Sequence, residues 1–365
     1  MAKRTALYED HVALGARITE FAGWEMPLSY EAGPVAEHLR VREVAGLFDL
    51  SHMGQISVSG PDALAFLQYL ATTNISRIST GKAGYAPMCY ADGGIVDDTF
   101  VYHLADYYLV VVNAANIDKD LRWLDYHQGA YDVAIDDLSA ETCMLALQGP
   151  LAEAILQPCT TYDLTELGYH EVVEAQLAGV DAVVGRTGYT GEDGFELYFP
   201  QTAAGTVWGE IMESGQPHGM LPIGLAARDS LRFEPCMALY GHELNHEVTP
   251  LQAGLGWAVA LKKGGFVGRE ALIKERLEGP AQKLIGFEMV ERGVPRHGYP
   301  VIIDGEECGH VTSGLYAPTL EKFLGMAYVP SEHARIGQEI SIEVRGRQRT
   351  ARIVKRPFYT PTYRK

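Results

Sequence analysis

Glycine falls at every third position from Gly185 to Gly194. Such spacing excludes a regular helix or strand through the run and calls for a tight loop closely approached by its neighbours. The loop Arg186-Thr187-Gly188-Tyr189-Thr190-Gly191-Glu192-Asp193 leads into Gly194-Phe195-Glu196-Leu197-Tyr198-Phe199. There a single carboxylate alternates with apolar residues, as in a half-buried strand. A carboxylate in that setting needs a partner, and a flat ligand with N–H donors would supply one. A glycine-rich hairpin with a solvated Glu196 is the alternative.

The 365 residues can bury a sizeable core and divide into two or three domains. Charged residues make up 21% and hydrophobic ones 47%, as in an ordinary globular protein. A net charge of −17 argues against nucleic-acid binding, which needs a basic surface. It leaves room for an anionic small ligand held by a few arginines. Met1 to Thr5 lead straight to Tyr8-Glu9-Asp10-His11 with no apolar stretch, so no secretory signal is expected. No run approaches the ~20 apolar residues of a membrane span. The 5 cysteines form no C-x-x-C pair. Reduced thiols in a cytoplasmic setting are the simplest reading, and a mature mitochondrial matrix protein would look the same.

Helices are expected over Pro34–Ala45, from Pro61 through Leu70, over Ile117–His127, Thr202–Ser214 and Gly224–Phe233. Strands are expected at Gln55–Ser59, Tyr85–Tyr90, Ile95–Leu104, Tyr107–Val112 and Thr142–Gln148. Asp92-Gly93-Gly94 and Ala105-Asp106 are hairpin signals, so Gly60 to His127 reads as a compact α-β-β-β-α unit. The pattern loosens at Glu278-Gly279-Pro280. Beyond it, short strands at Leu284–Val290, Tyr299–Ile303, Met326–Val329 and Ile340–Val344 suggest a separate β domain.

Asp97 and Asp98 stand together inside an apolar strand pattern, where aspartate is disfavoured. Neighbours on a strand point to opposite faces, so one carboxylate should face solvent and the other the interior or a cleft. A cleft carboxylate can have its pKa tuned by burial or by a ligand cation. Arg228 and Arg232 share a helix face at i, i+4. They read either as an ion pair involving Asp229 or as a grip on an anionic ligand. His242-Glu243-Leu244-Asn245-His246 matches H-E-x-x-H, but Val248-Thr249-Pro250 would end the helix that zinc chemistry needs, so no metal is expected. His52 reads as a structural histidine.

Several further stretches complete a set: Phe21-Ala22-Gly23-Trp24-Glu25-Met26-Pro27, Leu47 to Gly54, Gly93-Gly94-Ile95-Val96-Asp97-Asp98, Val111 to Asn116, Arg186 to Leu197, Ala227-Arg228-Asp229, Leu239-Tyr240-Gly241 and Thr312-Ser313-Gly314. Taken in order they resemble the glycine cleavage T-protein family, the aminomethyltransferases, over essentially the whole chain. The resemblance implies an α+β fold of three domains around a central folate channel: a split first domain (1–53 and 138–245), an inserted second domain (54–137) carrying Asp98, and a β-rich third domain (246–365). It implies a reaction that takes an aminomethyl group from the dihydrolipoyl arm of H-protein. Ammonia is released and the one-carbon unit passes to tetrahydrofolate. Asp98 matches the family's catalytic aspartate. Glu196 and Arg228 match folate-site residues, and Tyr363 a C-terminal tyrosine that closes the site. Met53, Tyr85, Asn113, Tyr189 and Tyr240 are further implied pocket residues. Neither a nucleic acid nor a membrane is an implied partner.

Two details depart from the usual pattern. Ala226 stands where glycine is common, and Glu234-Pro235-Cys236 replaces a Glu-Ala-Gly-like stretch. They leave open a tetrahydrofolate-dependent demethylase acting on a small N-, O- or S-methyl donor. A third reading is a non-enzymatic folate-binding factor for iron–sulfur assembly. The Lys-Gly-Cys stretch typical of that group is missing here.

Overall fold

The computed structural model describes residues 2–360. The architecture is mixed α+β, as expected: three open sheets with flanking helices, and a closed six-stranded barrel toward the C-terminus. A small sheet joins Lys3–Arg4, Trp24–Ser29 and Arg17–Phe21. A six-stranded sheet draws on strands from either side of residues 54–137, pairing Gly46–Asp49 with Thr142–Gln148 and Thr142–Gln148 with Gly194–Pro200. A five-stranded sheet runs Lys82–Cys89, Ile95–His103, Tyr107–Val112, Gly54–Ser59, Ala134–Asp137. The barrel closes through pairing of Gln282–Met289 with both Lys322–Pro330 and Arg347–Val354.

Local sequence explains the sheet that carries the aspartates. Ile95–His103 is rich in β-branched and aromatic residues, which suit a pleated, buried surface. Pro87 pairs with Asp98 on Lys82–Cys89, an edge strand, where a missing N–H is tolerated. The helices Ala63–Leu70 and Ile117–Gln128 cover one face of this sheet. Phe66, Leu67 and Leu70 pack there with Ile56, Val58, Val101 and Leu124. Burying each large apolar side chain contributes about 1.5–3 kcal/mol.

The sheet is covered on both sides, which corrects the expectation that one carboxylate faces solvent. Asp97 is fully buried beneath the helix layer, and Asp98 points the other way into a cavity. Two barrel strands, Glu306–Ala317 and Arg347–Val354, and the helix Arg269–Glu278 were not expected. The first is polar and contains Gly309, where a Cβ would lie 2.0 Å from the Tyr328 carbonyl oxygen. Close strand packing, not alternation, dictates that residue.

Buried polar contacts tie the parts together. Arg232 pairs with Glu243 at 2.8 Å and donates to Ser313 of the barrel at 2.8 Å. Thr312 donates to Glu243 at 2.7 Å. Arg42 spans Glu192 and Glu234, each at 3.0 Å, and lies over the Tyr359 ring. The Lys263 ammonium donates to the carbonyls of Gln68, Ala71 and Thr73, closing the end of the helix Ala63–Leu70. Among the described residues no helix is long and apolar enough to cross a membrane.

Candidate active site

Three elements far apart in sequence converge on one cavity of about 130 Å³. The strand Ile95–His103 contributes Asp98, the strand Gly194–Pro200 contributes Glu196, and the helix Leu225–Phe233 contributes Arg228. Met53, Tyr85, Asn113 and Tyr189 also line it. Tyr189, Arg228 and Leu239 also border a wider hollow of about 530 Å³, so the two adjoin across these residues. Their combined size is in the range of small-molecule sites, about 300–1,000 Å³. A larger trough, about 1060 Å³, lies beside Tyr107, Glu141 and Gln201 and holds none of the expected residues.

The glycine-rich loop builds one wall. Arg186 clamps its base, donating to Asp193 and to the carbonyls of Leu164 and Leu167. Thr190 donates to Gln148, which in turn donates to the Thr187 carbonyl. A Cβ on Gly188 would fall 1.8 Å from Gln148 Oε1, so a larger residue would displace the amide that holds Thr187 and Thr190. Tyr189 is thereby fixed over the cavity, its hydroxyl donating to the Ala238 carbonyl at 2.5 Å.

Asp98 accepts hydrogen bonds from Tyr85 Oη at 3.1 Å and Asn113 Nδ2 at 2.8 Å. Burial and the adjacent Asp97 charge hold its carboxyl well above the usual carboxylate range, outweighing those donors. Glu196 is also raised by burial, and accepts from Tyr102 and, at 3.3 Å, from Tyr198. Arg228 lies 4.8 Å over the Tyr189 ring. Burial lowers its pKa, and unlike Arg232 it forms no ion pair among the described residues. A half-buried guanidinium without a carboxylate partner is a ready handle for an anionic or electron-rich ligand. A carboxyl that holds its proton near working pH can serve as acid and base in turn.

Tyr240 is not among the residues lining the cavity. It stands behind the aspartates, accepting from Lys119 at 3.1 Å and donating to the Ile95 carbonyl at 3.1 Å. Tyr363 lies outside the described residues. Tyr102, which holds Glu196, was missed. The alternation that places residues 98, 100 and 102 on one strand face could have found it and Phe100, which lines the cavity. Ala226 lines the wider hollow beside Arg228. Cys236 adopts a left-handed φ of 58°, where the usual glycine would be unstrained.

His242-Glu243-Leu244-Asn245-His246 is not helical. Glu243 is engaged by Arg232, Thr312 and the Leu239 N–H. His242 packs 4.5 Å from the His297 ring, while the His246 side chain is 71% exposed.

Fold and cavity together define a mixed α+β protein in which a half-buried carboxyl, a glutamate and an arginine from distant elements face one cavity. The family model of the GCVT N-terminal domain matches residues 7–263, and that of the glycine cleavage T-protein C-terminal barrel domain matches residues 282–360. The chain is 52% identical to an aminomethyltransferase of Desulforamulus reducens and 50% to one of Moorella thermoacetica, covering 98% of each and of itself. It superposes with a TM-score of 0.94 on the crystal structure of the glycine cleavage system aminomethyltransferase T from Bartonella henselae, at 34% identity and full coverage of both chains. The chain belongs to the glycine cleavage T-protein family. Within it, the chain is an aminomethyltransferase.

Proposed function

We propose that the chain moves the one-carbon unit from an aminomethyl group on the dihydrolipoyl arm of H-protein to tetrahydrofolate, releasing ammonia, with Asp98 as the acid–base group. The observation that carries this is the convergence of Asp98, Glu196 and Arg228 on one channel. Tetrahydrofolate supplies the two amine nitrogens that capture the carbon. Their two protons are given up. One leaves on ammonia as the carbon–nitrogen bond breaks, and the other ends on the lipoyl thiol as the carbon–sulfur bond breaks. Asp98 can give its proton to a leaving group and take one back from an attacking amine, and holding the amine beside it removes the entropic cost of encounter.

The residues suit this co-substrate. Glu196, half-buried and held by tyrosine hydroxyls, can accept from pterin N–H donors. Arg228, at the junction of the two hollows, can hold an anionic group. Met53, Tyr85, Asn113 and Tyr189 shape the remaining wall. We further propose a split first domain (1–53 and 138–245), an inserted domain (54–137) and a third domain from 246. The separate sheets support this division.

The relatives' names favour aminomethyl transfer over the demethylase and iron–sulfur readings. Measuring ammonia release from aminomethylated H-protein, with and without tetrahydrofolate, tests the proposal. Release that depends on both components supports it; turnover of small N-methyl donors alone would reject it.

A further inference from the structure

We propose that Asp120 and Asp97 share one proton behind the active-site strand, and that this pair, acting through Asn113, positions Asp98. The inference rests on Asp98 being the acid–base group and adds the device that holds it.

Asp97 and Asp120 are both fully buried. Asp97 collects three N–H donors: the Asn113 backbone at 3.0 Å, Asn113 Nδ2 at 2.8 Å and Asn116 Nδ2 at 2.7 Å. Neither oxygen of Asp120 receives a donor among the described residues, and Asp120 lies one helical turn beyond Asn116, whose Nδ2 reaches Asp97 at 2.7 Å, so its carboxyl stands on the side of the helix that faces Asp97. Two carboxylate oxygens bond only with a proton between them. Two adjacent buried carboxylates also cannot both ionise without a large electrostatic cost. Asp97, with three donors, is therefore the acceptor of the shared proton. Asp120, with none, is the acid whose O–H donates to it. Burial and the Asp97 charge push Asp120 up to about 10, which keeps that proton in place at neutral pH. Lys119 lies close enough to oppose this shift, but it is committed to the Val96 carbonyl and to Tyr240. Tyr90 also faces the pair, and Tyr85 and Tyr189 face Asp98.

The consequence reaches the cavity through one atom. Asn113 Nδ2 donates both to Asp97 and to Asp98 Oδ1, at 2.8 Å each. Fixing Asp97 fixes that amide and so the Asp98 carboxyl. The pair's single negative charge also opposes ionisation of Asp98. Asp120 is a positioning residue that touches no substrate.

Infrared difference spectroscopy at about pH 8, wild type minus Asp120→Asn, reads the proton directly. A protonated-carboxyl C=O stretch that disappears in the variant is expected, and identical spectra would overturn the proposal. Kinetics give the second reading. Asp120→Leu removes the donor and should lower kcat by about 10²-fold, the scale of a misplaced reacting group, with KM for tetrahydrofolate unchanged. Asp120→Asn keeps an N–H donor to Asp97 and should restore most of kcat. Asp97→Asn removes the charge and should shift the acid limb of the kcat profile to lower pH. If both Asp120 variants fall equally and only in proportion to lost folded protein, the residue is merely structural and the proposal fails. Should Asp98→Asn retain full turnover, the acid–base reading fails instead, whatever the infrared result.

Discussion

The side-chain amide of Asn113 reaches the Asp98 carboxylate at 2.8 Å, from a position one residue beyond the strand Tyr107–Val112. The pairing between that strand and Ile95–His103 stops at Phe100 and Val111. Asp98 thus lies past the end of the ladder, where the following turn brings Asn113 alongside it. The site is built where two strands part.

Glu196→Gln and Arg228→Ala should each weaken tetrahydrofolate binding while leaving the fold intact. Losing a charge-assisted hydrogen bond costs about 1.5–3 kcal/mol, roughly a 10- to 150-fold change in Kd. Both variants should still bind H-protein. Titration calorimetry with each ligand measures this, and unchanged folate affinity in both variants would remove these residues from the site.

Asp98 should make the fold less stable at neutral pH than an uncharged residue would. Its carboxyl is held well above the usual range by burial and by Asp97. The folded state keeps a proton that the unfolded chain releases above about pH 3.9. The resulting stability is fully present below that pH and is lost as pH rises through the raised native value. Asp98→Asn escapes this loss, and the Tyr85 hydroxyl can turn to accept from the new amide. The variant should melt above wild type at about pH 8, by ~2–4 °C for each kcal/mol recovered, with the two curves converging toward pH 4. A lower melting point for the variant at about pH 8 would contradict this.

Much of this site was legible because its chemistry breaks local rules. Two aspartates in a β-rich run, a lone glutamate in an apolar strand and glycines at every third residue are each anomalous in sequence. Strand periodicity put Asp97 and Asp98 on opposite faces, but the sequence could not show that helices cover one face while residues of the six-stranded sheet pack on the other. Tyr102 and Asp120 escaped notice for the opposite reason: a tyrosine in a strand and an aspartate near a helix start are ordinary locally. Their roles come from contacts with Glu196, 94 positions away, and with Asp97. The barrel strand Glu306–Ala317 was hidden by glycines that tight packing requires.

Breaking the buried Arg232–Glu243 pair should be costly. Both side chains are at most 1% exposed, so Arg232→Met leaves an unpaired charge in the interior. The expected loss is about 3–5 kcal/mol, read by urea unfolding. Glu243→Gln and His246→Ala should leave metal content unchanged in protein purified without a histidine tag. Stoichiometric zinc lost in His246→Ala would overturn the assignment of Glu243 to structure.

Lys263→Met should loosen the layer beneath the cavity. Three carbonyls that share its ammonium would be left without that donor. A loss of about 1–3 kcal/mol is expected, with faster hydrogen exchange at the end of the helix Ala63–Leu70. Unaltered exchange there would show that the lysine holds nothing.

The most direct test is the rate of 5,10-methylenetetrahydrofolate formation from aminomethylated H-protein and saturating tetrahydrofolate, by wild type and Asp98→Asn. A positioned acid–base group contributes about 10²–10⁴-fold. The variant should lose turnover on that scale while its tetrahydrofolate affinity stays near wild type. An Asp98→Asn enzyme that forms product at the wild-type rate would contradict the account at its centre.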